Sequence, residues 1–207
     1  MVATEAARGQ VDARAGRTDS EHMTRAEFET RVPEGDDRER EVCTRCGFID
    51  YDNPKIVVGS VATWGDRVLL CRRAIEPRAG FWTLPAGYLE HGETPEEGAR
   101  REAREEALAD LSIRDLLAVY TVRRLGQVQL MYRATLRSPE IGAGPESAEV
   151  GLFAWDEIPR DAIAFPTVRW ALAHFRRAEA SAVWVPATNP EGESTRIEDM
   201  TPETDAS

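Results

Sequence analysis

Leu84 to Ala109 reads LPAGYLEHGETPEEGARREAREEALA, a tight loop running into a short helix dense in carboxylates. Thr94 suits the N-cap, Pro95 suits the first helical position, and Glu97 falls three residues after Thr94. Together they make a capping box with proline at N1. Within the predicted helix Glu102, Glu105 and Glu106 stand at i, i+3 and i+4, so their carboxylates share one face. Like charges at that spacing destabilise an isolated helix by roughly 0.2–0.5 kcal/mol per pair. Either Arg100, Arg101 and Arg104 offset this repulsion, or a bound cation does. Ala99, Ala103 and Ala107 form a narrow small-residue stripe on another face, which lets the helix pack closely against a sheet. A solvated, salt-bridged surface helix is the plain alternative.

The wider spacing decides between them. Gly87 is followed by five residues, then Glu93, then seven residues, then Arg101-Glu102-Ala103-Arg104-Glu105-Glu106. This resembles the Nudix box, the signature of the Nudix hydrolases. The family pattern continues with any residue, a glycine and an apolar residue. Here Leu108 stands at the glycine position, and Ala103 and Ala109 are small for the apolar ones. That glycine normally ends the helix, so Leu108 leaves the exit geometry open without touching the carboxylates.

The chain has 207 residues, enough for one domain with a real core plus appendages, and a net charge of −11. The acidic balance argues against a nucleic-acid partner bound through a basic surface. It leaves nucleotides open, because a divalent metal bridges acidic protein to phosphate. No apolar run approaches a membrane span and the N-terminus lacks an apolar signal core, so no membrane partner and a cytoplasmic location are expected. Cys43, Cys46 and Cys71 are too few for a disulfide framework.

Residues 1–20 are poor in apolar side chains and are expected to be disordered. Residues 21–41 hold eight acids against four arginines. Cys43-Thr44-Arg45-Cys46-Gly47 then makes a CxxCG knuckle, half of a tetrahedral zinc site. The segment from Arg31 to Lys55 resembles the second half of the zinc ribbon that precedes some Nudix domains. In that comparison the upstream cysteine pair falls around residues 21–24, where this chain has Glu21, His22, Met23 and Thr24. Residues 21–52 therefore read as a degenerate zinc-ribbon-like segment. Cys43 and Cys46 are expected as free thiols; the alternative is a partial zinc site with His22 as third ligand.

Lys55 to Trp64 and Arg67 to Ala74 read as two strands joined by a Gly65-Asp66 turn, with Cys71 an inert core thiol. A short strand is expected at Phe81–Pro85. Two β-rich runs follow the helix, at Ser112–Val122 and Gln127–Leu136, then a Gly/Pro loop, a strand at Leu152–Trp155 and an amphipathic helix over 167–180. Residues 186–207 carry six acids and one arginine and are expected to be a disordered tail whose removal changes nothing. The order is mixed α/β. The resemblance implies the Nudix fold, a mixed β-sheet sandwiched between helices, over residues 53–180.

Clustered carboxylates are hard oxygen ligands suited to Mg²⁺ or Mn²⁺. Diphosphate hydrolysis needs charge neutralised and a water aligned and deprotonated, which such metals supply. The resemblance puts metal on Glu102, Glu105 and Glu106, helped by a backbone carbonyl at Ala86 or Gly87. It makes Glu93 the glutamate that orients the box and Arg101 the arginine that pairs with it. A further carboxylate, as ligand or base, comes from Glu146 or Glu149, with Glu149 favoured. For substrate, Phe81, Trp82 and Tyr88 are candidates to stack a base, and Arg72, Arg73 and Arg78 to hold phosphate.

NPKIVVG, LLCRRAIEPRAGFWTLPAGYLEHGET and GPESAEVGLFAWDEIP, with the knuckle before them, resemble a zinc-ribbon-associated branch similar to plant FAD/ADP-ribose pyrophosphatases. This implies cleavage of FAD, ADP-ribose or a related dinucleotide to AMP plus a second monophosphate, and, by analogy, a homodimer. The alternatives are a hydrolase clearing modified nucleoside triphosphates, or a non-catalytic domain that senses ADP-ribose or another nucleotide.

Overall fold

The computed structural model describes residues 27–192, and the chain divides between Asp52 and Asn53 into two units. The first unit holds three antiparallel strands, β1 (Phe28–Arg31), β2 (Arg40–Cys43) and β3 (Ile49–Asp50), in that spatial order. The turn after β2 is the cysteine knuckle. There the Gly47 N–H donates to the Cys43 carbonyl at 2.9 Å, and the Cys43 N–H to the Phe48 carbonyl at 2.8 Å. Cys43 is buried, Cys46 is exposed and both are free thiols. Backbone N–H groups of Cys46 and Arg45 near its sulfur hold the Cys43 thiol below its ordinary pKa. Among the described residues no third thiol, imidazole or carboxylate completes a metal-ligand cluster. Residues 1–20 and His22 lie outside the described residues.

The second unit runs β4 (Lys55–Trp64), β5 (Arg67–Arg73), β6 (Trp82–Thr83), β7 (Ala86–Tyr88), α1 (Pro95–Ala107), β8 (Leu111–Val122), β9 (Gln127–Leu136), β10 (Ser147–Phe153) and α2 (Pro166–Glu179). Its sheet has the order β10-β5-β4-β9-β8, with β6 paired to β5 and β7 to β4. Only β4 and β9 run parallel; the other pairs are antiparallel. The β4–β5 hairpin turns at Gly65-Asp66, with Gly65 at φ +60°, as a two-residue turn with glycine first requires.

Strand alternation sends the two faces of this sheet to different helices. On one face Ala62, Leu69, Cys71 and Ala134 meet Ala103 and Ala107 of α1. Ala99, Ala103 and Ala107 are fully buried, so the small-residue stripe does bring the helix close to the sheet. On the other face Val61, Val68, Leu70, Tyr120 and Met131 meet Val168, Ala171, Leu172 and Phe175 of α2. Arg133 on β9 ties that layer together, bonding Asp115 on β8 at 2.6 Å and Glu179 on α2 at 2.9 Å. The result is a mixed sheet between helices, as the resemblance implies. No helix among the described residues is long and apolar enough to cross a membrane.

The expected tail begins later than residue 186. Ala187 forms a parallel bridge with Ala118 on the free edge of β8. It accepts from the Val119 N–H at 2.9 Å and donates to the Leu117 carbonyl at 3.0 Å. The Asn189 side chain imitates a further strand residue, accepting from the Thr121 N–H at 2.8 Å and donating to its carbonyl at 2.9 Å. Unpaired edge N–H and C=O groups need partners, and composition does not reveal which segment supplies them. Residues 193–207 lie outside the described residues. Truncation after Pro186 removes four hydrogen bonds and is expected to cost about 2 kcal/mol at roughly 0.5–1.5 kcal/mol net per bond. Truncation after Gly192 keeps all four and is expected to leave the thermal midpoint unchanged; calorimetry of the two truncations checks both statements.

Candidate active site

α1 starts as its sequence dictates. The Thr94 side chain accepts from the Glu97 N–H at 3.3 Å, and the Glu97 carboxylate accepts from the Thr94 N–H at 2.8 Å. This orientation points Glu102 and Glu106 inward, where both are more than nine-tenths buried, and leaves the Glu105 side chain exposed at the rim. Gly87 on β7 faces Glu102, and a Cβ there would overlap the carboxylate. Glu106 accepts the Ala86 N–H at 3.1 Å.

Arg101 organises the carboxylates through a fork of bonds. Its Nε and Nη2 reach Glu93 at 3.1 and 2.7 Å, and its Nη1 reaches Glu102 at 2.7 Å and Glu105 at 3.0 Å. A further bond runs to the Tyr88 carbonyl at 2.9 Å. The Arg101 guanidinium holds the Glu93 carboxyl below its usual range, with the Glu90 N–H assisting. Burial raises the Glu102 carboxyl, against the pull of Arg101. Burial also pushes Glu106 up to about 7; the Ala86 N–H and Arg73 oppose the rise, while Glu102 and Glu146 add to it. Two buried acids short of positive charge, with hard oxygen donors on one helix face, fit a divalent cation.

The carboxylates open into a cleft of about 980 Å³. Ala86, Gly87, Tyr88, Arg73 and all three α1 glutamates line it, and so does Glu146. Glu149 does not. β10 starts at Ser147, ahead of the expected Leu152, so Glu149 is a strand residue opposite Arg72, with a bulge just before it. The two pair at 3.4 Å, both half exposed. Arg72 also donates to the Gly80 carbonyl at 2.9 Å. Arg78 stacks 3.8 Å over Phe81 and donates to the Ala164 carbonyl at 3.3 Å. Neither guanidinium lines the cleft. Trp82 is buried in the core, edge-on to Phe153 at 4.8 Å, and offers no stacking face. Of the residues expected to bind substrate, the structure brings Arg73 and Tyr88 to the cleft.

Glu146 reaches the site because its loop is fastened to the end of α1. The Gly142 N–H donates to the Ala107 carbonyl at 2.9 Å, and the Gly144 N–H to the Glu106 carbonyl at 3.0 Å. These bonds satisfy carbonyls that every helix end leaves open. A Cβ at Gly144 would overlap the Glu105 carbonyl oxygen, so only glycine fits. Leu108 takes the left-handed conformation, φ +50°, that the family's glycine would take, and its side chain packs beside Gly142. The helix therefore ends as the family pattern requires despite the substitution.

A family model described as NUDIX domain matches residues 53–175. The chain belongs to the Nudix hydrolase family. A second model, for the zinc-ribbon Nudix N-terminal segment, matches residues 26–52 of this Nudix protein. It is 40% identical to a crystallised Nudix hydrolase from Nitrosomonas europaea, with a TM-score of 0.74, across 81% of this chain and 97% of that one. It is 28% identical over 114 residues to an ADP-ribose pyrophosphatase of Methanocaldococcus jannaschii, covering 53% of this chain and 68% of the relative. A MutT-like protein of Streptomyces ambofaciens is 36% identical over 99 residues, covering 48% of this chain and 60% of the relative.

Two outcomes follow. Gly144→Ala forces the Glu146 loop off α1 and is expected to destabilise the protein by about 1–3 kcal/mol in urea unfolding, as overpacking does. Glu106 binds its proton more tightly in the fold than in the unfolded chain, so its contribution to stability falls as pH rises from about 4.5 to about 7. With chelator present, Glu106→Gln is expected to stabilise the protein by up to about 3 kcal/mol above pH 7 and by nothing below pH 4.5. Melting curves across that range check it.

Proposed function

We propose that this Nudix hydrolase cleaves the diphosphate of ADP-ribose or a related nucleoside diphosphate derivative, FAD included, giving AMP and a second monophosphate. The observation that carries the reading is the Arg101 fork holding Glu93, Glu102 and Glu105 beside buried Glu106, all at one end of a cleft large enough for a dinucleotide. The archaeal ADP-ribose pyrophosphatase relative supports the substrate class.

In this reading Glu102, Glu105 and Glu106 hold Mg²⁺ or Mn²⁺, with a carbonyl of Ala86 or Gly87 beside them. A divalent cation so held neutralises phosphate charge and lowers the pKa of a bound water. Arg101 and Glu93 position the ligands rather than react. Glu146, at the cleft, takes the part of the further carboxylate in place of Glu149. Its charge acts on both Glu102 and Glu106, so these acids titrate as a set. Arg73, which lines the same cleft, holds a phosphate oxygen. A cytoplasmic homodimer remains part of the proposal by analogy with the family.

The test is product analysis by mass spectrometry after incubation with Mg²⁺ and ADP-ribose, FAD, NADH or nucleoside triphosphates. Wild type is expected to release AMP from ADP-ribose or FAD. Glu105→Gln is expected to slow turnover on the order of 100-fold, as loss of one transition-state charge contact does. Its melting temperature should hold, because Glu105 is exposed at the rim. Near-normal turnover in that variant removes Glu105 from the metal set. Pyrophosphate released from triphosphates supports nucleotide-pool cleaning instead, and no product from any substrate supports a sensor.

A further inference from the structure

The half of the cleft away from the carboxylates carries a second, neutral set of polar groups. β9 presents Gln127 and Gln129 two residues apart, hence on one face of the strand, and both line the cleft. Their parallel partners on β4 are Lys55 and Val57. The next residue along that face is Met131, a buried core residue. Two amides therefore interrupt what is otherwise the apolar face that packs under α2.

These amides form a row. The Gln129 Nε2 donates to the Gln127 Oε1 at 3.4 Å, and the Gln127 Nε2 donates to the Tyr88 hydroxyl at 3.2 Å. Lys55 sits 5.4 Å from the centre of the Tyr88 ring and steadies it from the side. At the end of the row the Gln129 Oε1 accepts no hydrogen bond from any described residue, and its Nε2 has one further N–H. Half-buried amides are held where every capacity can be met, and a free acceptor beside a free donor is a pair awaiting a complementary edge. Phe165, with the Arg73 guanidinium 5.3 Å from its ring centre, adds a flat wall to the same cleft.

We propose that Gln129, set by Gln127 and Tyr88, reads the amino edge of an adenine base and is the specificity determinant of this cleft. A glutamine amide pairs bidentately with adenine, accepting from the exocyclic amino group and donating to the adjacent ring nitrogen. In hypoxanthine a carbonyl replaces that amino group and confronts the Gln129 Oε1 with a second acceptor. The inference rests on the hydrolase reading for its substrate but not for its binding chemistry. Gln127 and Tyr88 act as positioning residues: with Gln127 as acceptor for one Gln129 N–H, the Gln129 carbonyl turns toward the ligand.

Two measurements test it. Calorimetric titration compares AMP with IMP on wild type, Gln129→Leu and Gln129→Glu, with chelator present so that binding is read without turnover. Wild type is expected to prefer AMP by about tenfold, in the range of one bidentate base contact. Gln129→Leu should bring the two ligands within about twofold, by weakening AMP. Gln129→Glu keeps an acceptor but loses the donor, and should retain part of the preference. Steady-state kinetics then compares ADP-ribose with its hypoxanthine counterpart. Gln129→Leu should raise KM for ADP-ribose about tenfold with kcat within about threefold, because one base contact is lost far from the scissile bond. Equal binding of AMP and IMP by wild type, or a preference unchanged in a Gln129→Leu protein of normal melting temperature, overturns the assignment. Turnover of neither dinucleotide, with the AMP preference intact, defeats the hydrolase reading and leaves the base recognition standing.

Discussion

Glu102 and Glu106 are held in low dielectric one helical turn apart, and most of the domain is arranged to keep them there. Moving two carboxylates out of water is opposed by desolvation and by their mutual repulsion, and both effects raise their pKa values. Nothing in an isolated helix would hold that face inward. The alanine stripe does so by allowing close contact with the sheet, Gly87 by presenting bare backbone to Glu102, and Ala86 by donating its N–H to Glu106. Arg101 supplies charge to Glu102 and Glu105, with Glu93 fixing its fork from the other side. An environment that destabilises carboxylates without a cation is the one that binds a cation, so the instability and the proposed chemistry have one cause.

The far end of α1 shows how a departure from the family pattern is absorbed. A left-handed residue other than glycine costs roughly 1–2 kcal/mol. Leu108 accepts that conformation because its own N–H still bonds the Arg104 carbonyl at 3.0 Å, while Gly142 and Gly144 dock onto the carbonyls of Ala107 and Glu106. Termination of the helix and delivery of Glu146 to the cleft are thus one structural event. The glycine need has moved in part from the helix end to the loop that caps it, where Gly144 has no room for a Cβ.

The first unit keeps the shape of a metal knuckle without a described ligand set. Gly47, in the left-handed conformation, closes the turn through the Cys43 carbonyl. Backbone hydrogen bonds suffice for that turn, which explains how a ribbon segment remains matched to its family over residues 26–52 with two cysteines.

How much was legible in the sequence follows the range of the interactions involved. The capping box, the Gly65-Asp66 hairpin, the alanine stripe and the spacing from Gly87 through Glu106 depend on residues within about two helical turns or one loop, so residue order alone determined them, and with them the family. The α2 boundaries and β9 likewise follow from periodicity. Residues that depend on strand register were not legible. Whether Glu146 or Glu149 faces the cleft turns on where β10 begins and on the bulge at its start. Whether Trp82 stacks a ligand or fills the core turns on which face of β6 it occupies, and a one-residue step reverses that face. The pairing of Ala187 and Asn189 with β8 joins segments about 68 residues apart. Local order in the chain specified the helix that carries the carboxylates. Only the folded sheet decided which neighbours they meet, because facing and register are properties of strand pairing and not of any single stretch of sequence.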